Sequence, residues 1–428
     1  MATNNNAIYD ARTLGTPRMA LLGLQHMFAM FGATVLVPLI TGLSVSTTLL
    51  FAGIGTLIFH FIAKWKVPAF LGSSFAFLGG YAAVTQMGTE EYGLSQTLAL
   101  DYAGIGICAA ALIYFVVAAL IKAFGLKKVL RFFPPVVIGP IIIAIGLCLA
   151  GTALKSCTTN WTLALSAVVV VIATTIWGRG LIKIIPILLG VVVSYVIAAC
   201  MGEVDFSALN DAAWIGLPIS RESTVLAVFD NPDYGLLVSS IVAIMPLAIA
   251  TVMEHIGDIS AISSTVNKDY LADPGLHRTL TGDGVATFVA ALFGAPANTT
   301  YGENTGVLNI TRVFDPRVIR LAAIFAIILA FCPKFATLIQ LMPAATIGGI
   351  SLILYGMIAA VGVRNMVEAK VDLTKSHNLI VAALILVLAV GVTYGLDGGI
   401  AIGPIRLSGL AIAAIVGVIL NAVFPKDK

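Results

Sequence analysis

Charge is what this chain has least of. Only 11% of its 428 residues are Asp, Glu, Lys or Arg, against about a quarter in soluble domains, and the mean hydropathy is +1.02. That scarcity excludes a soluble globular protein and implies a polytopic membrane protein. Cysteine is also sparse: the five are scattered, odd in number and without a CxxC pair, so they read as small apolar packers. There is no GxxxxGK[ST], HExxH or GxSxG, which removes P-loop hydrolysis, zinc proteolysis and serine-esterase chemistry of the usual kinds. Haem and iron ligand patterns are also missing, and no cofactor or metal is expected. The net charge of +3 reflects topology and does not indicate a nucleic-acid partner.

What is present is a succession of apolar runs, such as Met19 to Ile40, Ala109 to Ala123, Val136 to Leu154, Leu163 to Trp177 and Leu407 to Phe424. They are continuous instead of alternating at every second residue, so they read as membrane helices and not as barrel strands. Met1 to Arg18 is polar and no small-residue cleavage site follows Leu21, so the first span is expected to be retained. With the N-terminus placed in the cytoplasm, Lys64, Lys66, Lys122, Lys268, Arg278, Arg317, Arg320 and Arg364 fall inside. Lys155, Arg221 and Lys334 are among the few cations left outside, while Glu90, Glu91, Glu203 and Asp205 gather there. That asymmetry needs an even number of spans, and about 14 fits best, with both termini cytoplasmic.

Two features recur at one offset. Gln25-His26 and Glu254-His255 are about 229 residues apart, as are Ser74 in LGSSFAF and Glu303 in YGENTG. PVVIG at Pro135 is echoed by PAATIG at Pro343. Two halves of seven spans each would enter the membrane in opposite senses, giving an inverted repeat. The segments around Ser74 and Glu303, the third and tenth, are broken by Pro68, Gly72, Gly79 and Gly80, and by Pro296, Gly302 and Gly306. Each is expected to be part strand and part helix, the two short strands pairing antiparallel at mid-membrane. Half-helix N-termini would then present N–H donors to a polar ligand. A pair of re-entrant loops that merely pack is the alternative, and it leaves the intramembrane carboxylate Glu303 without a purpose.

The second polar constellation is MEHIGDIS, Met253 to Ser260. Glu254 and Asp258 share a helical face, and because two ionised acids one turn apart repel, the pair is a candidate proton site. Asp258 could instead lie solvated at the cytoplasmic interface. His26 reads as a structural donor holding a backbone carbonyl or a carboxylate. TGDG, Thr281 to Gly284, is expected to open the ninth span with Asp283 as its cap, and DPGLHR, Asp273 to Arg278, to form a cytoplasmic turn.

Taken together, ENTGVLNITR at Glu303 to Arg312, LQHMFAMFGATVLVP at Leu24 to Pro38, LGSSFAF, EHIGD, DPGLHR and NTTYGEN resemble the motifs of the nucleobase-ascorbate transporter family, also called nucleobase-cation symporter family 2. The match covers nearly the whole chain. It implies a core domain (residues 1–128 and 235–337, segments 1–4 and 8–11) and a gate domain (residues 129–234 and 338–428, segments 5–7 and 12–14). It also implies an elevator-like movement between them, a homodimer and a bacterial cytoplasmic membrane location. By the same resemblance, uracil-carrying members hold the base at positions matching Glu254, Glu303, Phe75 and Gly302, with Tyr301 beside it and Tyr355 facing from the gate. Ser74, Asn304 and His26 would support that site, while Glu254 and Asp258 would carry the proton. Uracil has N–H groups that need acceptors and carbonyls that need donors, which carboxylates and backbone N–H groups supply. Asp258 departs from the uracil pattern and is found in purine carriers. Glu303 departs from the purine pattern, which has glutamine there. The implied function is proton-coupled uracil import, with a purine carrier, an anion exchanger of the same architecture and a channel as rivals.

Overall fold

The computed structural model describes residues 7–130, 134–183, 185–396, 399–402 and 405–424. They are mostly helical. The first stretch runs α1 (Thr16–Thr41), α2 (Val45–Ile62), β1 (Leu71–Ser73), α3 (Leu78–Gln86) and α4 (Gln96–Phe124). There follow α5 (Leu126–Leu130), α6 (Pro135–Cys157), α7 (Trp161–Trp177), α8 (Pro186–Cys200) and the short α9 (Ser207–Asp211). The second half runs α10 (Tyr234–Ile244), α11 (Leu247–Val266), α12 (Leu276–Leu292), β2 (Asn298–Thr300), α13 (Gly302–Thr311) and α14 (Pro316–Ala330). It ends with α15 (Pro333–Gln340), α16 (Ala344–Glu368), α17 (Ser376–Gly395), β3 (Gly399–Ile402), β4 (Ile405–Ser408) and α18 (Gly409–Val423). The order helix, helix, strand, short helix, helix thus occurs twice, in α1 to α4 and in α11 to α14.

Among the described residues seven helices, taking α10 and α11 as one, are long and apolar enough to cross a membrane, and an eighth span arises if α14 and α15, bent by 87°, are counted together. α7, α8 and α18 are shorter apolar helices. The chain is therefore a multi-pass membrane protein. Local chemistry sets the helix starts. Ser44, Ser95, Asn160, Asp233, Asp315 and Ser408 each accept a backbone N–H of the first turn of α2, α4, α7, α10, α14 and α18, satisfying donors that have no partner inside a helix. α1 stops at Gly42, whose φ of 87° suits a residue without a Cβ.

α6 and α16 pack at close range because glycine faces backbone. A Cβ on Gly362 would lie 2.7 Å from the Gly139 carbonyl oxygen, and one on Gly348 2.8 Å from that of Ala153. One on Gly146 would collide with the Tyr355 carbonyl. Small residues that let helix backbones approach supply packing where lipid gives no hydrophobic drive.

β1 and β2 pair antiparallel, Leu71 opposite Thr300, Gly72 opposite Thr299 and Ser73 opposite Asn298. All six residues are buried, so their remaining polar groups must be met by protein. Thr56 Oγ1 accepts the Leu71 N–H at 2.9 Å, and Thr287 Oγ1 donates to the Asn298 carbonyl at 3.0 Å. Asn298 Nδ2 donates to the Phe51 carbonyl at 3.1 Å, and His60 Nε2 lies 2.8 Å from the Ala69 carbonyl. α2 and α12 therefore clamp the strand pair by hydrogen bonds as well as by packing.

Candidate functional site

The site forms where β2 hands over to α13. Tyr301 still belongs to the extended chain, its N–H donating to the Phe70 carbonyl at 3.0 Å, and Gly302 begins the helix. No side chain caps α13, so its first N–H groups and the positive end of its dipole point to the space onto which Gly302, exposed, opens. Glu303 in the first turn, and Glu254 and Asp258 on α11, are half-buried around it. A Cβ built on Gly302 would come no nearer than 4.0 Å, to Asp258 Oδ1. Glu254 lies within electrostatic reach of Asp258, Asp283 and Glu303, and its buried Oε2 has no protein partner among the described residues.

Asp258 is half-buried and bonded to protein. Its Oδ2 accepts the Thr300 hydroxyl at 2.9 Å, so the acid is tied to the last residue of β2, immediately before the site. The cation whose charge reaches it is Arg364 of α16. Arg312 closes the far end of α13, about 15 Å along a ten-residue helix.

Phe75 lies in the turn between β1 and α3, and its ring meets that of Tyr355 edge-on at 5.9 Å, bringing α16 against the strand corner. Ser74 is fully buried, with its N–H on the Ala297 carbonyl at 2.8 Å. Tyr301 is only 3% exposed. Its hydroxyl donates to the Ser73 carbonyl at 2.9 Å, and its ring fills the space that a Cβ on Gly72 would need. Asn304 is buried and its Nδ2 lies 3.1 Å from both the carbonyl oxygen and Nδ1 of His26. The expected partner of His26, a backbone carbonyl or a carboxylate, is replaced by a side-chain amide, and the pair fastens α13 to α1.

Asp283 corrects the reading of TGDG. It is no cap: α12 begins at Leu276, and Asp283 lies two turns inside it, fully buried, with Oδ2 2.8 Å from His255 Nδ1. The helix starts early because the turn before it ends at Gly275, with φ 97°, so DPGLHR contributes its last three residues to α12. No role at this site was expected from the sequence for Thr300 or for the buried pair of His255 and Asp283. An acid in an apolar segment is by itself a signal, and it was available for Asp283.

Comparison with known proteins shows the family. A model of a permease family, the xanthine/uracil permeases, matches residues 17–398. A probable uracil permease of Haemophilus influenzae is 39% identical over 420 residues, covering 96% of this chain and 95% of that protein. The uracil permease of Bacillus caldolyticus is 40% identical over 427 residues, covering 98% and 94%. This chain belongs to that permease family. The membership agrees with the motif resemblance drawn from Leu24 to Arg312. Among solved structures, the permease resembles the transmembrane domain of a cyanobacterium bicarbonate transporter, BicA, with a TM-score of 0.64 at 15% identity over 97% of this chain and 99% of that one. It also resembles SLC26A9, with a TM-score of 0.67 at 11% identity over 97% and 66%. At such identities the likeness shows a shared transporter fold and says nothing of cargo.

Proposed function

We propose that this permease imports uracil across the bacterial cytoplasmic membrane by proton symport. The observation that carries the reading is the group of half-buried carboxylates, Glu254, Asp258 and Glu303, around an exposed Gly302 at the uncapped start of α13. The relatives named uracil permeases support it. In this reading Glu303 accepts a ring N–H of the base, and Glu254 in its protonated form donates to a carbonyl. The N–H groups at Gly302 and Phe75 supply the other donors. Phe75 covers the planar ring, with Tyr355 behind it, and Tyr301 holds the floor by its bond to Ser73. Protonating one of the neighbouring acids relieves the repulsion among the rest, which links proton uptake at Glu254, shared with Asp258, to substrate binding.

The transport movement is an elevator-like shift of a core (residues 1–128 and 235–337) against a gate (residues 129–234 and 338–428), in a homodimer with cytoplasmic termini. Fourteen segments in two inverted sevens would place α1 to α4 and α11 to α14 in corresponding positions, which the repeated element order supports. Because Asp258 stands beside β2, a purine carrier of this family, taking xanthine, urate or hypoxanthine with protons or sodium, is the second reading.

Replacing Glu303 separates the two. Glu303→Gln should weaken uracil binding about tenfold or more, as expected when an ionised acceptor is lost, with xanthine binding unchanged or improved. Equilibrium binding of both labelled bases to the purified variant measures this. Unchanged uracil affinity would remove Glu303 from the contact.

A further inference from the structure

A cavity of about 740 Å³, lined in part by Tyr9 of the N-terminal segment, shares no residue with the site at Gly302. Its volume suits a small ligand. Four cations line it, Lys66, Lys268, Arg317 and Arg320, together with three acids, Asp269, Asp273 and Asp315. Two of the acids are ion-paired, and the third is held by backbone N–H groups. Lys66 pairs with Asp273. Asp269 Oδ1 accepts the N–H groups of Leu271 and Ala272, both at 3.1 Å. Asp315 accepts the Ala11 N–H at 2.7 Å and the Arg317 N–H at 2.9 Å, and it pairs with the Arg317 guanidinium at 3.1 Å. Arg317 spends its remaining reach on Asp10 at 2.9 Å.

Two cations are left over. Lys268 and Arg320 have no carboxylate within ion-pair distance among the described residues. Each is instead held over an aromatic ring: Lys268 Nζ lies 4.6 Å from the centroid of Tyr9, and the Arg320 guanidinium 4.9 Å from that of Trp65. A ring face positions a cation without neutralising it. The cavity therefore presents two orientated positive charges with an aromatic ring beside each, and its lining carries four cations against three acids, Asp269 keeping its charge because only backbone N–H groups meet it.

We infer that this cavity binds a phosphate group, held between Lys268 and Arg320. A phosphate monoester is an anion with three strong acceptor oxygens, which suits a lining with one more cation than acids, and a guanidinium meets phosphate oxygens with two parallel donors. The phosphate can come from a soluble ester or from a lipid headgroup, since aromatic and basic side chains together are also the signature of a membrane-interface anchor. One wall of the cavity is Tyr9. Its neighbour Ile8 bonds to the chain at Arg312 and Phe314, at 2.9 and 2.7 Å, so the occupant would stiffen the exit of α13, the helix that begins at Gly302.

The test uses the full chain in phosphatidylcholine nanodiscs. Saturable binding of radiolabelled inorganic phosphate or glycerol 3-phosphate, reduced about tenfold or more in K268Q/R320Q, supports the site with a soluble occupant. No binding of either, but a rise in thermal stability when phosphatidylglycerol replaces part of the phosphatidylcholine, lost in K268Q/R320Q, supports it with a lipid occupant. Should the double variant fail to fold, K268Q alone, at an exposed position, replaces it. Binding or stabilisation that is equal in wild type and variant, or that chloride at matched ionic strength reproduces, overturns the site, as does the absence of both effects.

Discussion

Gly302 makes the strongest single-residue prediction. It combines exposure with room for a methyl group, the nearest atom to a built Cβ being Asp258 Oδ1 at 4.0 Å. It also opens α13, where alanine is a good helix former. Gly302→Ala should therefore leave the melting temperature within a degree or two of wild type, while uracil uptake falls sharply because the methyl occupies the space in front of the α13 N–H groups. A large loss of stability with uptake per folded molecule intact would contradict that assignment. At this scale the sequence showed which residues are chemically out of place, and less about whom they meet. Glu254, Asp258 and Glu303 stood out because carboxylates are rare in apolar runs. The bond from Thr300 to Asp258 joins residues 42 apart, and no local pattern encodes it. TGDG has the composition of a helix start, but α12 already begins at Leu276 after the turn that ends at Gly275, which puts Asp283 two turns inside.

Helix pairs and short segments carry the next predictions. Where α6 meets α16, Gly146 faces the Tyr355 and Ala359 backbone, and Tyr355 is the residue whose ring reaches Phe75. Gly146→Val should cost about 1 to 3 kcal/mol by overpacking, seen as a lower melting temperature in detergent. It should also lower transport by displacing Tyr355. The echo between PVVIG and PAATIG was visible in the sequence. That the helices they open run against each other at backbone contact, Gly139 meeting Gly362 and Gly348 meeting Ala153, was not, because glycine spacing alone does not say which helix is the partner. The N-terminal segment behaves as a strap: Ile8 pairs with Val313, Tyr9 reaches the Val266 carbonyl at 2.9 Å, and Asp10 pairs with Arg12 and Arg317. The Arg12 side chain, then its N–H, holds the Asp10 carboxyl well below the usual carboxylate range. A folded-state pKa below the unfolded one gives a contribution that is full above the unfolded value, near 4, and is lost as pH falls through the folded one. The strap should therefore stay docked across mild acid. Limited proteolysis ahead of Thr16 should be unchanged between pH 7 and 5 and accelerate only in stronger acid, and Asp10→Asn should make it faster already at pH 7.

For the whole molecule, membrane class and multi-pass character followed from scarce charge and long apolar runs, since a bilayer imposes helix length and composition together. The sequence also marked the two stretches where continuous helix gives way, through proline and glycine beside polar residues, and in the structure these are the places where β1 and β2 lie. Their antiparallel pairing was also expected from the sequence, whereas the register, Gly72 opposite Thr299, and the clamp by α2 and α12 were not, since composition does not reveal how helices stack around a strand pair. The proposed coupling belongs to this scale as well, because it would require the carboxylate group at Glu254 and the movement of one part of the chain against another to respond to the same proton. Uptake of labelled uracil into proteoliposomes under imposed gradients tests the account most directly. An inward proton gradient alone should drive uracil accumulation, abolished by a protonophore and lost in Glu254→Gln, while a sodium gradient alone drives none. Accumulation that follows sodium and ignores the protonophore, or xanthine accumulation without uracil, would contradict it.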